Sequence, residues 1–139
     1  MVLTLLGTLR RDGWPRISPV EALVCDGQLY LGMMWRSLKA RDLLRDPRCV
    51  IHTVVTDPAG TEGDLKIYGR ALEITDVGER TRYGDALEQL IHWRPAGDFH
   101  LFRIDISHVG FVRAGENAHM FRWRVGEPPP GPEPRPSQV

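Results

Sequence analysis

Short apolar segments make up most of the chain, and turn dipeptides separate several of them. Residues 2–10 (VLTLLGTLR), 15–25 (PRISPVEALVC) and 28–35 (QLYLGMMW) are compatible with β-strands, and Asp-Gly pairs stand between them at 12–13 and 26–27. An Asp-Gly pair between two apolar runs favours a tight hairpin, because both residues tolerate the positive φ that such a turn requires. The first part of the chain is therefore predicted to be a three-stranded meander.

The apolar residues take a helical spacing after residue 36. Ala40, Leu43 and Leu44 recur at i, i+3 and i+4, which predicts one buried stripe on a short helix. Ser37 precedes this stripe and is a suitable N-cap, because its side-chain oxygen accepts a hydrogen bond from a free N–H of the first turn. The Asp-Pro pair at 46–47 is expected to end the helix.

Strand and helix patterns alternate again in the second half of the chain. Residues 49–55 predict a strand buried on both faces, and a polar loop leads from them to a strand at 64–74. Helical spacing from Asp76 to about Trp93 predicts a second helix capped by Asp76. Two more strands are predicted at 99–113 and 119–125. Seven short strands with only two helices favour a mainly β protein, built as a closed or partly closed antiparallel barrel.

Composition narrows the class of protein. Lys plus Arg equal Asp plus Glu at 18 each, so the formal net charge is +0 and the strongly basic character of nucleic-acid or anionic-membrane binders is missing. The apolar segments are too short to span a bilayer, and the N-terminus has no signal-peptide pattern. The two cysteines are isolated, and the histidines lack metal-ligand spacing. We expect a reduced, cytoplasmic protein with no metal site made of protein side chains.

The proline content rises sharply at the C-terminal end. Residues 126–139 contain little that could be buried, and such segments stay disordered because burial cannot offset the loss of conformational entropy. We therefore expect one barrel domain at 1–125, followed by a disordered tail at 126–139.

Two cationic side chains lie near the predicted N-terminus of the first helix, a position that disfavours positive charge. Arg36, Ser37 and Lys39 surround the predicted start of the first helix, although free N–H groups and the helix dipole already make that end positive. A bound phosphate resolves the conflict, since the N–H groups, the Ser37 hydroxyl and the Lys39 ammonium all suit an anion. The alternative is an ordinary cap with solvated side chains.

Pro19, inside a predicted strand, marks either a sheet edge or a point where a ligand lies against the backbone.

The segment GTLRRDGWPRISPVEALVCDGQLYLGMMWRSLKARDLLRDPRCVIHTVV, followed by GDLKIYGRALEI, resembles the FMN-binding split-barrel family of pyridoxamine 5'-phosphate oxidase-like proteins, which includes deazaflavin-dependent relatives. The resemblance covers roughly residues 5–112. Its most specific part is a strand ending in Ser-x-Lys-Ala, then a short helix, Asp-Pro-Arg and another strand. The resemblance implies a six-stranded antiparallel Greek-key split barrel and a homodimer with two cofactor sites at the subunit interface.

The resemblance also implies a set of cofactor-binding residues. Ser37 and Lys39 match phosphate-binding positions, with Arg36 beside them, and Met33 matches a residue that touches the cofactor from the preceding strand. Asp64 falls near a position that often contacts the flavin ring, and Lys66 lies on the same face of its strand. The strand that runs along the cofactor is matched by Arg16, Ile17, Ser18, Pro19 and Val20.

Three departures from the family pattern shape the expected function. Leu38 stands where the vitamin B6 oxidases have an arginine, Glu21 stands where they have a lysine, and their C-terminal motif for pyridoxal phosphate is not recognisable. The helix that relatives have before the first strand is also not seen, so we expect that it is missing from this chain or that the start is assigned late.

We therefore expect an oxidoreductase that uses FMN or the deazaflavin coenzyme F-420 to transfer hydride to a small organic acceptor, and not a true pyridoxamine phosphate oxidase. No side-chain acid or base is assigned. The alternative is a non-catalytic module on the same barrel that binds flavin or haem, because a fold does not fix a function.

Overall fold

Strands and helices follow one another in the predicted order. The computed structural model describes residues 1–129, so most of the predicted tail lies outside the described residues. Two helices are present, α1 (Leu38–Arg45) and α2 (Val77–Ile91). The strands are β1 (Val2–Leu9), β2 (Pro15–Cys25), β3 (Gln28–Met34), β4 (Arg48–Thr53), β5 (Asp64–Glu73), β6 (Phe99–Arg113) and β7 (His119–Arg124).

Six of the strands close into an antiparallel barrel. Neighbouring strands pair in the order β3-β2-β1-β4-β5-β6, and β3 also pairs with β6, which joins the two ends of the sheet. The seventh strand extends the sheet beyond the barrel by pairing with the last residues of β6. A bulge in the β5–β6 ladder falls between Tyr68 and Gly69. The predicted mainly β barrel is confirmed.

The turn at 26–27 and both helix caps formed as predicted, whereas the Asp-Gly pair at 12–13 lies in a five-residue loop, 10–14, in which Gly13 has a positive φ of 85° but Asp12 does not. Asp26 and Gly27 have φ of 50° and 72°, as a two-residue hairpin between β2 and β3 requires. Ser37 caps α1 and Asp76 caps α2, each accepting a hydrogen bond from a first-turn N–H.

The prediction for β4 was partly wrong: only Cys49 and Ile51 are buried, so the strand is not buried on both faces. It ends at Thr53, so Val54 and Val55 lie outside the strand and are exposed.

The buried face of α1 differs from the predicted stripe. Ala40 and Leu43 are buried as expected, but Leu44 is 50% exposed and Asp42 is only 2% exposed. Asp42 is tolerated inside because Thr8 Oγ1 and Arg16 Nε each donate to its Oδ2 at 2.7 Å. A buried carboxylate needs such partners to offset the loss of hydration. The prediction for Leu44 was therefore wrong, and the carboxylate of Asp42 fastens α1 to the barrel.

The two helices lie over different parts of the hydrophobic core. Ala40 and Leu43 of α1 belong to the larger cluster inside the barrel, together with Leu6, Leu31 and Phe102. Buried residues of α2 join a second cluster with residues of β2, β3 and β6: Leu23, Tyr30, Tyr83, Leu87 and Leu101. Neither helix of residues 1–129 is long and apolar enough to cross a bilayer.

The barrel opens between β2 and β3. β2 pairs with β1 from Pro15 to Ala22, but it pairs with β3 only from Ala22 to Cys25. The remaining residues of β3, 32–34, pair with β6 only. The stretch of β2 before Ala22 therefore has a strand neighbour on one side only. Pro19 lies in this stretch, so the edge reading of Pro19 holds locally although β2 is not an outer strand of the sheet.

Candidate functional site

The turn between β3 and α1 presents free hydrogen-bond donors. Arg36 takes a left-handed conformation with φ of 57°, and the N–H of Ser37 donates to the carbonyl of Met34 at 3.1 Å. Ser37 Oγ accepts from the N–H of Ala40 at 3.4 Å, which leaves the hydroxyl proton of Ser37 free to donate. The N–H groups of the first helical turn point out of the helix, as at any α-helix N-terminus.

Two cations lie at this turn without a carboxylate partner. Across residues 1–129, no Asp or Glu oxygen lies within 4.0 Å of the charged groups of Arg36 or Lys39, and the first turn of α1 contains no acidic residue. The guanidinium of Arg36 lies 5.7 Å from the centre of the Trp35 ring. Lys39 is half-buried. Free N–H groups, a hydroxyl donor and unpaired cations are together the donor set that phosphate prefers.

A groove runs from this turn along the opening of the barrel. We call it the split groove; its volume is about 190 Å³. Four of the predicted cofactor residues, Pro19, Val20, Met33 and Lys39, line it together. The other lining residues are Leu3, Glu21, Gly32 and Met34. The carboxylate of Glu21 thus shares a groove with the Lys39 ammonium, and it opposes the binding of an anion there.

The remaining predicted residues of β2 divide between the two faces of the strand. Arg16 is directed towards α1, where its Nε donates to Asp42, so its guanidinium is partly committed to holding the helix. Ser18 is half-buried, whereas Ile17 is 74% exposed. Arg16 therefore supports the split groove through Asp42 and is not among the residues that line it.

Asp64 and Lys66 lie away from the split groove. Both line a separate groove of about 350 Å³ between β5, β6 and β7, so they share a face as predicted. Met33 pairs with His100 and Lys66 pairs with Gly110, towards opposite ends of β6. At about 3.3 Å per residue these two pairs are roughly 30 Å apart along the strand. Within one chain, the structure does not bring Asp64 and Lys66 to the turn that holds Lys39.

A second pocket adjoins the split groove. This aromatic pocket, of about 340 Å³, shares Glu21, Gly32, Met33 and Met34 with the split groove. Its own walls come from α2 and from the loop before β6: Tyr83, Leu87, Trp93, Pro95, Ala96, Asp98 and Phe99. The apolar spacing of α2 predicts one face with Tyr83, Leu87, Leu90 and Ile91. Tyr83 and Leu87 are buried, whereas Leu90 and Ile91 are 54% and 39% exposed, and no local pattern links the helix to β3. The pocket was therefore missed.

The hydroxyl of Tyr83 lies where the two openings meet. A Cβ added at Gly32 would lie 2.5 Å from Tyr83 Oη, so only glycine lets the hydroxyl approach β3 this closely. Burial raises the pKa of Tyr83, and the nearby Glu21 carboxylate raises it further. The phenol therefore stays protonated at neutral pH and can act as a hydrogen-bond donor.

Metal-binding chemistry finds no support in the part of the chain that the structure describes. That part contains no group of three or more His, Cys, Asp or Glu side chains placed to hold a metal ion.

His100 is 4% exposed and stacks on Trp35, with ring centres 4.5 Å apart. Its Nδ1 lies 3.5 Å from a carboxylate oxygen of Glu73, and neither ring nitrogen has a hydrogen-bond partner within residues 1–129.

A model of the family described as pyridoxamine 5'-phosphate oxidase matches residues 3–113. A search of the curated proteins found no match. Among solved structures, the chain is similar to a haem-binding protein from Mycobacterium smegmatis, with 20% identity, 89% of this chain and 53% of that chain covered, and a TM-score of 0.70. The chain thus spans about half the length of that protein.

Two further structures of similar fold come from Clostridium acetobutylicum. A nimC/nimA family protein shows 14% identity, with 87% of this chain and 83% of that chain covered and a TM-score of 0.69. A protein related to general stress protein 26 of B. subtilis, of the pyridoxinephosphate oxidase family, shows 15% identity, with 90% and 87% covered and a TM-score of 0.66. At these identities the structural likenesses show the fold alone.

Proposed function

The chain belongs to the pyridoxamine 5'-phosphate oxidase family, and from that premise we propose that it is an oxidoreductase that holds FMN or the deazaflavin coenzyme F-420 in the split groove. The observation that carries the proposal is the Lys39 ammonium, which lines the split groove at the start of the helix that Ser37 caps and has no carboxylate partner among residues 1–129. Both cofactors carry a phosphate on a ribityl chain, so one donor set serves either.

The residues at the turn before α1 and those along the split groove would have different parts in binding. Lys39, the Ser37 hydroxyl and the first N–H groups of α1 would hold the phosphate, with Arg36 beside them. The one-sided stretch of β2 at Ser18 to Val20 would lie along the cofactor, and Met33 would contact it from β3. Asp42 and Arg16 keep α1 against the barrel, so they position Lys39 without touching the ligand.

The redox chemistry belongs to the cofactor. The bound reduced cofactor would supply a hydride, which carries two electrons, to a small organic acceptor; the acceptor takes one further proton from water, and the cofactor is left oxidised. The chain contributes binding, orientation and shelter, and no side chain is assigned as a catalytic acid or base. Glu21 and Leu38 occupy positions where the vitamin B6 oxidases carry cations, which weighs against pyridoxamine phosphate as the substrate.

A homodimer is part of the proposal. Asp64 and Lys66 lie roughly 30 Å along β6 from the pair that contains Met33, so they would reach a cofactor only if a second chain brought them there. Exposed apolar side chains on β1 and β2, including Leu3, Leu5 and Ile17, give a second copy a surface to cover. Light scattering coupled to gel filtration tests this point; a mass of one chain would contradict the dimer.

The binding test compares phosphorylated and unphosphorylated ligands. Tryptophan fluorescence is titrated with FMN, oxidised coenzyme F-420 and riboflavin, using the wild type, Lys39→Ala and the control Arg41→Ala, which removes an exposed cation from the same helix. Loss of one charge-assisted hydrogen bond predicts about tenfold to hundredfold weaker FMN binding in Lys39→Ala. Riboflavin binding should not change in Lys39→Ala, and Arg41→Ala should bind all ligands as the wild type does.

Turnover separates an enzyme from a binding module. The wild-type protein with chemically reduced cofactor is mixed anaerobically with candidate acceptors, and the return of the oxidised cofactor's visible absorbance is followed. Reoxidation that depends on the protein supports the proposal. Tight binding without acceptor-dependent reoxidation would favour the non-catalytic module, and failure to bind either cofactor would overturn the proposal altogether.

A further inference from the structure

The aromatic pocket differs in chemistry from the split groove beside it. Among the described residues that line it none is basic, whereas two carboxylates, Glu21 and Asp98, stand at its walls. Arg94, which is close in sequence, has its guanidinium paired with Asp85 and Glu88 on α2. We infer that the aromatic pocket binds flat aromatic molecules that carry no negative charge, and that it prefers cations.

The aromatic and apolar lining of the pocket favours a planar ligand. Trp93 lines the pocket and is 56% exposed, so its indole is accessible to a second ring. Leu87, Phe99 and Pro95 supply apolar walls. Aromatic faces attract other rings and also cations, because the ring quadrupole is negative above and below the plane. A ring that bears an ammonium group uses both the aromatic walls and the carboxylates.

Tyr83 supplies a polar contact in the pocket. The absence of a side chain at Gly32 leaves room for its hydroxyl to lie close to β3. The phenol makes no hydrogen bond to another group of residues 1–129, and burial raises its pKa, so its proton is free for a ligand acceptor atom. Such convergent polar groups in an apolar pocket fix the orientation of small ligands.

The position of the pocket gives it a role in the proposed reaction. The aromatic pocket and the split groove share Glu21, Gly32, Met33 and Met34, so ligands in the two openings would be neighbours. The aromatic pocket is therefore the binding site of the electron acceptor, a role that rests on the proposed function. The preference for aromatic molecules without negative charge does not rest on it.

Three probes of similar shape test the charge preference. Naphthylmethylammonium, naphthylmethanol and naphthoate are titrated into the cofactor-free protein by calorimetry. We expect naphthylmethylammonium to bind on the order of tenfold more tightly than naphthoate, with the alcohol between them. The exposed carboxylates of Glu21 and Asp98 attract the ammonium and repel naphthoate, and solvent weakens both effects. The preference should weaken at high salt. Equal affinities for the three probes, or no binding of any, would overturn the inference.

Variants locate the site. Glu21→Gln should reduce the preference for the ammonium, while Glu116→Gln, which removes an exposed carboxylate from a distant loop, should leave it unchanged. Ala96→Trp should fill the pocket and abolish binding of all three probes, and the matched control Ala59→Trp, on another exposed loop, should not. Urea midpoints confirm that each variant is folded. Unaltered binding in Ala96→Trp would place the probes elsewhere and overturn the inference.

The same variants separate this inference from the proposed function. Probe binding is measured without cofactor, so it can succeed where FMN and coenzyme F-420 both fail to bind. Conversely, if the wild-type protein binds the cofactor but none of the probes, the acceptor pocket is overturned and the proposed cofactor site is unaffected. Removing the Glu21 charge should also tighten FMN binding by the split groove, because the carboxylate opposes an anion there. A loss of FMN affinity in Glu21→Gln would contradict this argument, because the Glu21 carboxylate would then favour the anionic cofactor instead of opposing it.

Discussion

The carboxylate of Asp42 is the strongest stability determinant that can be tested around the candidate site. It accepts from Thr8 Oγ1 and Arg16 Nε at 2.7 Å each and from Arg45 Nη2 at 2.9 Å, and the residue is 2% exposed. Asp42→Asn keeps the size of the side chain but removes the charge. The amide nitrogen then faces donors, so at least one hydrogen bond is lost and the two guanidinium groups lose their counter-charge.

The expected cost follows from the burial of each partner. Removing one partner of a fully buried ion pair costs about 3–5 kcal/mol. Arg16 and Arg45 are 24% and 33% exposed, so water replaces part of what they lose. We therefore expect about 2–3 kcal/mol for Asp42→Asn, which lowers the urea midpoint by roughly 1–2 M at m-values typical of small proteins.

Urea unfolding followed by circular dichroism measures the change. The matched control is Asp46→Asn at the C-cap of the same helix, where the carboxylate pairs with the exposed Arg48 and little stability is at stake. An equal shift in the two variants would refute the reasoning, because burial would then not matter. An unchanged midpoint in Asp42→Asn would refute it as well.

The pH dependence gives an independent check on Asp42. Burial alone raises the pKa of Asp42, but the hydrogen bonds from Arg16, Thr8 and Arg45 outweigh it and leave the pKa lowered. A carboxyl with a lowered folded pKa stabilises the protein above its unfolded pKa, about 4, and loses that contribution as pH falls through the folded pKa. The difference in unfolding free energy between wild type and Asp42→Asn should be largest at neutral pH and shrink in acid. A difference that stays constant would show that the charge is not responsible.

Three further predictions follow from other buried groups. Gly32→Ala should lower the melting temperature and alter the fluorescence of the aromatic pocket, because the new Cβ would meet Tyr83 Oη at 2.5 Å; an unchanged melting temperature would mean that the phenol moves freely. His100→Phe removes two ring nitrogens without hydrogen-bond partners in residues 1–129, so the urea midpoint should stay unchanged or rise; a lower midpoint would show that the Glu73 carboxylate, 3.5 Å from Nδ1, stabilises the imidazole. Burial raises the pKa of Cys49 to about 11, and burial and Asp26 also raise the pKa of Cys25, but Cys25 is half-buried whereas Cys49 is buried. Cys25 should therefore react first with a thiol reagent at pH about 8, and the opposite order in mass spectrometry would contradict this.

Local signals explain why so much of the fold was predictable from the sequence. The hairpin at 26–27 and the Ser37 cap depend on residues that are adjacent in the chain, and both formed as predicted. The error at Leu44 had a non-local cause. Asp42 is buried because Thr8 and Arg16, which are 34 and 26 residues away, supply its hydrogen bonds. Helical spacing contains no information on such partners.

The candidate site shows the same division between local and distant information. Ser37 and Lys39 were identified from a run of a few residues, and Pro19 from its position in a strand. The split groove, which Lys39 and Pro19 line together, also depends on the point at which β2 leaves β3, and this is a property of the closed barrel. The aromatic pocket depends on contact between α2 and β3, so no pattern within either element predicts it.

The separation of β2 from β3 explains why the split groove and the aromatic pocket favour ligands of different charge. On the N-terminal side of Ala22, β2 is not hydrogen-bonded to β3, and Glu21 of β2 and Met33 of β3 line both openings there. A carboxylate at this position weakens the hold on a phosphate at Lys39, which is a cost for a cofactor site taken alone. The same carboxylate raises the pKa of Tyr83 and makes the neighbouring pocket attractive to cations. Glu21 therefore acts on two ligands in opposite directions: it opposes the cofactor phosphate in the split groove and favours a cationic or neutral acceptor in the aromatic pocket.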